Sequence, residues 1–184
     1  KGVSGRILKK NPKALYIHCS SHRLNLVVAK TCDIQSVKNM LSQAQKISSF
    51  FSPSPKPTML LKEKMKEVGL KRQKLRDPST TRWVEQVTNL DKFLDAFEAI
   101  FQSLKYMKEN ENRDFNHSSS DATSFFCSIK SFDFIVCLVI TANLLHHTLA
   151  LTVQLQQRKI DIAESMKQMN LLKAQLRNLR KTVD

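Results

Sequence analysis

A cysteine and two histidines stand close together in the stretch YIHCSSHRLNL, as His18, Cys19 and His22. A structural zinc ion needs four nitrogen or sulfur ligands, and no second Cys/His pair follows at the spacing of a zinc finger. A cysteine beside a histidine at a helix start is also a possible nucleophile, but no orienting acid stands nearby. The spacing favours a structural role for Cys19 and His22, which we expect to pack where a strand meets a helix, and it predicts no metal site.

The only tryptophan, Trp83, is the second candidate, because it follows the most basic part of the chain. An aromatic ring among cations is the combination that single-stranded or distorted DNA uses for stacking and phosphate contact. The alternative is that Trp83 is a core residue at the start of a long helix, and the residue types leave both interpretations open. The cations concerned are Lys71, Arg72, Lys74, Arg76 and Arg82.

The distribution of charge predicts a polyanionic partner. The net charge is +14; residues 1–89 hold 18 Lys/Arg against 5 Asp/Glu, and residues 90–184 hold 12 against 11. Seven cations, Arg23 among them, and no acid occur in the first 32 residues. Nucleic acid is the expected partner, unless an acidic complement lies elsewhere in a longer protein. With only Gly2, Gly5 and Gly69, the chain has no phosphate-binding glycine loop, and we expect no small-molecule substrate.

Cysteine spacing and hydropathy indicate a compartment. The four cysteines lie far apart and no signal peptide is recognised, which is typical of reduced thiols in the nucleus or the cytosol. Residues 132–155 are about as long as a bilayer span, yet Asp133, Asn143, His146 and His147 interrupt them. We therefore expect a helix buried in a bundle and no membrane partner.

Periodicity predicts a mainly α fold with one short strand. The apolar run ALYIH, residues 14–18, is the strand candidate. We expect helices after this strand, with loops near 52–57, 70–80 and 108–120. Thr58 is the predicted cap of a short basic helix, and apolar residues at three- and four-residue steps predict one long helix from Thr81 to Met107.

Three segments together resemble the hAT superfamily of transposases. They are NPKALYIHCSSHRLNLVVAKTC, then LRDPSTTRWVEQVTNL, then SFFCSIKSFDFIVCLVITANLLHHTLALTVQLQQRKIDIAES. The order and spacing are similar to those of domesticated, degenerate members, such as zinc finger MYM-type proteins and THAP-domain repressors. The resemblance covers nearly the whole chain.

The resemblance implies an RNase H-like core interrupted by an all-helical insertion domain. Residues 1–32 would then end the core, and residues 33–184 would belong to the insertion domain. In this family three acids bind two divalent metal ions that drive strand cleavage and transfer. Asp33, Asp77 and Asp184 do not match those acids, so we expect no catalytic residue and no cofactor here. Cys19 and His22 match the family's Cys-x-x-His, and Trp83, with Thr81 and Arg82 before it, matches a tryptophan that lies near the DNA flank in active relatives.

We therefore expect a catalytically inactive, nuclear, transposase-derived fragment that binds DNA, associates with proteins, or does both. A cytoplasmic location is the alternative. Two other functions stay open at this point. The chain could be an incomplete piece of an active, metal-dependent transposase, or it could be a helical scaffold that forms homo- or hetero-oligomers.

Overall fold

The computed structural model describes residues 2–16, 19–52, 54–71, 75, 83–110, 115, 119–157, 159 and 161–181. Nine α-helices make up most of these residues, as the mainly α prediction requires. They are α1 (Val3–Lys10), α2 (Ser20–Thr31), α3 (Gln35–Phe50), α4 (Pro55–Glu67), α5 (Trp83–Asp95), α6 (Phe97–Glu109), α7 (Ser119–Ile129), α8 (Phe132–Leu155) and α9 (Ile162–Lys181).

Helix α8 is the centre of the fold. It packs against α2, α3, α5, α7 and α9, and it buries Phe134, Leu138 and Leu145 on the face that meets the core. Ser131 caps its start by accepting a hydrogen bond from the Phe134 amide at 3.3 Å. Among the described residues α8 is the one helix long and apolar enough to cross a membrane. Length and composition are all that this criterion tests, and the core helix of a bundle meets it too.

The single long helix predicted from Thr81 to Met107 is wrong, because the chain breaks at Ala96 into α5 and α6. No proline or glycine lies in this stretch, so the break is not encoded by a local helix breaker. Instead the two halves have different neighbours: α5 packs on α8, and α6 packs on α4 and α7. The bend at Ala96 lets both apolar faces be buried.

The turn between α3 and α4 also differs from the prediction, since α4 begins at Pro55 inside the expected 52–57 loop. A proline suits the first helical position because its missing N–H would have no partner there. Thr58 therefore does not cap α4 but lies within it. Its hydroxyl contacts the carbonyl oxygens of Ser54, at 2.8 Å, and of Phe51, and so ties the two helices together.

The predicted strand is not confirmed. No strand occurs among the described residues; Ala14, Leu15 and Tyr16 have no regular structure, and Ile17 and His18 lie outside that part of the chain. Leu15 is 89% exposed and α1 buries no residue. A strand needs a neighbour to satisfy its backbone hydrogen bonds, and the described residues provide no sheet for it to join.

Candidate nucleic-acid interface

The basic loop after α4 begins with a helix-ending turn at Gly69. The Leu70 amide donates to the Met65 carbonyl at 2.9 Å, and the Gly69 amide donates to the Lys66 carbonyl at 3.0 Å. Gly69 has φ of +77°, the left-handed conformation that this Schellman arrangement requires. The turn reverses the chain and brings Leu70 back over Met65.

Two leucines anchor the loop to the core. Leu70 and Leu75 are partly buried and pack against the core cluster. Both line a cleft of about 200 Å³ between the end of α4 and α5, together with Met65, Lys71, Lys92, Asp95 and Ala96. Lys71, directly after the first anchor, is exposed, so its ammonium group is held at the surface where phosphate could reach it.

Most of the other predicted DNA contacts lie outside the described residues. These are Arg72, Lys74, Arg76 and Arg82, together with Thr81. Trp83 is the first residue of α5, but its side chain also lies outside the described part, so stacking and core packing both stay predictions for it. Of this group, the structure places Lys71.

Helix α2 supplies a second exposed cationic face. Val28 is buried and Leu24 partly buried on the side that meets the core. Arg23 and Lys30 are both exposed, and their seven-residue spacing places them on one face, about 10 Å apart along the axis. Arg23 was predicted from the sequence as a DNA contact. Lys30 was not, although its seven-residue spacing from Arg23 is visible in the sequence.

Cys19 and His22 lie at the start of α2, as expected, but the structure does not bury them. Cys19 occupies the N-cap position without a side-chain cap bond, and both side chains are exposed. The expected packed corner is therefore absent from the described residues, since the strand that would cover it is absent too. On the inner side of the same helix, the buried Asn25 Oδ1 has no hydrogen-bond partner.

Some charges counted in the basic half are already paired. Lys64 donates to both Glu67 carboxylate oxygens, at 3.0 and 2.8 Å, and this hydrogen bond raises the pKa of Lys64. Lys38 pairs with Asp33 and lowers the pKa of that carboxyl through a hydrogen bond. Each pair neutralises one acid and one base, so the net positive charge of this half is unchanged. That excess charge lies on exposed side chains such as Lys71, Arg23 and Lys30.

Metal-ligand geometry does not appear in the described part of the chain. Within it, no three His, Cys, Asp or Glu side chains come close enough to hold an ion. His146 and Asp91 form an isolated pair between α8 and α5, with Nδ1 3.6 Å from Oδ2. This arrangement links two helices and provides no third ligand.

Comparison with known proteins finds relatives that are much longer than this chain. The chain is 28% identical over 170 residues to the human 52 kDa repressor of the inhibitor of the protein kinase, and 27% identical over 168 residues to its mouse counterpart. Each match covers 88% of this chain but 22% of the relative, so the chain spans about a fifth of their length. No family model and no solved structure matches.

Proposed function

We propose that this chain is a non-catalytic, transposase-derived regulatory module that binds DNA through the phosphate backbone. The observation that carries the proposal is the charge asymmetry: residues 1–89 hold 18 cations against 5 acids, and Lys71, Arg23 and Lys30 are exposed. Fixed cations on a protein surface release counterions from DNA when they contact phosphates. Such binding needs no cofactor and no bound metal.

Similarity to proteins named as repressors supports a regulatory role rather than strand cleavage. The motifs around Cys19 and Trp83 connect that role to a hAT ancestor. A regulator that works on DNA acts in the nucleus, which is the location we propose. Because the relatives are much longer, their full activity and their partners are not transferred to this chain.

The test is fluorescence anisotropy of labelled duplex and hairpin DNA across a salt series from about 50 to 200 mM. The test variant is Arg23→Glu/Lys71→Glu. The matched control is Lys105→Glu/Lys159→Glu, which makes the same charge change at two exposed positions in the other half. We expect the test variant to weaken binding and to reduce the slope of log affinity against log salt by about 1 per lost contact.

The control should bind nearly as well as the parent chain, since it changes net charge without removing a proposed contact. Absence of binding at low salt, or an equal loss in the two double variants, would contradict the proposal. Equal affinity for duplex and hairpin DNA is expected from backbone contacts alone. A strong preference for the hairpin would add base stacking to the mechanism, and Trp83→Ala would then test that residue.

A further inference from the structure

Helix α9 carries an apolar stripe that the described part of the chain leaves exposed. Leu172 and Ser165 are its buried residues and lie on the side that packs against α8. Next to this side, exposed apolar residues recur at four- and three-residue steps, the spacing of one helix face. They are Ile162, Met166, Met169 and Leu176, with exposures of 73%, 55%, 37% and 37%.

The same face becomes cationic toward its carboxyl end. Continuing the spacing places Lys173 between Met169 and Leu176, and Arg180 after Leu176. Residues 165–181 contain five cations, all exposed, and no acid. Asp161 and Glu164 lie at the start of the helix, where Asp161 Oδ1 accepts from the Ala163 amide at 2.9 Å and from the Glu164 amide at 3.2 Å.

We propose that this stripe of α9 binds an acidic amphipathic helix of a partner protein. Aliphatic and methionine side chains at helical spacing are the anchors that an amphipathic helix buries, and methionine adapts to different apolar surfaces. The cations that flank the anchors, Lys173, Arg177 and Arg180, select a partner with acids beside its apolar face.

Charge argues against two other occupants. A second copy of the chain would bring the same five cations against this face, and like charges disfavour that pairing. DNA would pair with the cations but would leave Met166, Met169 and Leu176 in water, because phosphate contacts bury little aliphatic surface. An acidic helix satisfies both features, and the proposal does not depend on DNA binding elsewhere in the chain.

The probe is a labelled synthetic peptide of about 20 residues, with leucine at helical spacing and glutamate at most other positions. Its control has lysine in place of glutamate. The chain variants are Lys173→Glu/Arg180→Glu and Met169→Gln/Leu176→Gln, and the control variant is Lys9→Glu/Lys10→Glu at exposed positions of α1. Circular dichroism and thermal melting of each variant establish that it folds like the parent chain.

We expect the parent chain and the α1 control to bind the acidic peptide and not the lysine peptide. The charge variant should lose at least about 10-fold in affinity for the acidic peptide and gain affinity for the lysine peptide. The glutamine variant should bind neither. The change expected of the charge variant, weaker binding of the acidic peptide and tighter binding of the lysine peptide, is an outcome that unfolding cannot produce.

Four results would overturn the proposal. Both peptides could bind equally, or neither could bind, to a folded chain. Sedimentation could reveal a dimer that Met169→Gln/Leu176→Gln dissociates, in which case a second copy occupies the stripe. Finally, Lys173→Glu/Arg180→Glu could weaken DNA binding as much as Arg23→Glu/Lys71→Glu does, which would assign α9 to the DNA surface and leave the proposed function intact.

Discussion

The backbone amide of Leu70 donates to the carbonyl oxygen of Met65 at 2.9 Å, and the two side chains line the same cleft. One turn therefore both ends α4 and fixes the first anchor of the basic loop. Lys71, the next residue, is exposed because Leu70 before it points to the core. The position of a proposed phosphate contact thus depends on how a helix ends.

Gly69→Ala should lower the free energy of unfolding by about 1 kcal/mol, because Gly69 has φ of +77° and a side chain disfavours that conformation. Apart from the neighbouring residues, no described atom lies within 4 Å of the added Cβ, so the cost comes from the local backbone conformation and not from a clash with the rest of the protein. Gly69→Asn should cost less, since asparagine tolerates the left-handed region. Urea denaturation of the three proteins measures the difference, and an alanine variant as stable as the parent would contradict the assignment of the turn.

Thr58→Val should destabilise the chain by about 1 kcal/mol by removing a hydroxyl that contacts two carbonyl oxygens. These belong to Phe51 and Ser54, so the loss falls on the junction of α3 and α4. Thr58→Ser keeps the hydroxyl and is the matched control. If Thr58→Val has the same thermal melting midpoint as the parent chain, the hydroxyl contributes nothing to stability.

Thiol labelling should distinguish the cysteines. Cys19 and Cys127 are exposed, whereas Cys32 is half-buried, and burial raises the pKa of the Cys32 thiol above its ordinary value of 9.0. Because the thiolate is the reacting form, a maleimide reagent should modify Cys19 and Cys127 first, and Cys32 should react slowly near neutral pH. Mass spectrometry of timed samples identifies the order, and denaturant should make all four cysteines react together.

The same shift predicts how Cys32 affects stability at alkaline pH. Well below pH 9.0, the ordinary pKa of a cysteine thiol, Cys32 is protonated in both the folded and the unfolded chain. Its contribution to stability is then fully present. As the pH rises further, the unfolded chain loses its proton first, so this contribution is lost as the pH passes the raised folded value. Cys32→Ala lacks this thiol, so its urea midpoint should decrease less than that of the parent chain as the pH rises above 9.0.

Incubation with supercoiled plasmid and Mg²⁺ or Mn²⁺ should give no nicking above the buffer background. The reason is our proposal that the three metal-binding acids of hAT transposases, which the sequence resembles, have no counterparts in this chain; two-metal cleavage needs such ligands. Chelation with EDTA should likewise leave DNA affinity unchanged. Nicking that tracks the purified chain and disappears in Asp33→Asn would contradict the proposed lack of catalysis.

The local sequence predicted helix α8 well because its long apolar run lies within one segment. Most of the basic loop predicted near 70–80 lies outside the described residues, so its extent stays a prediction. The break at Ala96 was missed because nothing in residues 81–107 breaks a helix; the bend is caused by α8 on one side and by α4 and α7 on the other. Thr58 was assigned as a cap because its type suits one, whereas Pro55 begins the helix earlier.

For the candidate site, the sequence by itself determined which charges are present, where they concentrate, and that Arg23 and Lys71 each stand next to a leucine able to anchor them, Leu24 and Leu70. These properties depend on residue type and spacing alone. Only the tertiary structure decided that Cys19 and His22 are exposed, that Leu70 and Leu75 hold the loop, and that the α9 stripe has no partner among the described residues. A side chain is buried by residues that are distant in sequence, so its burial depends on how the helices pack together and not on the sequence of one helix.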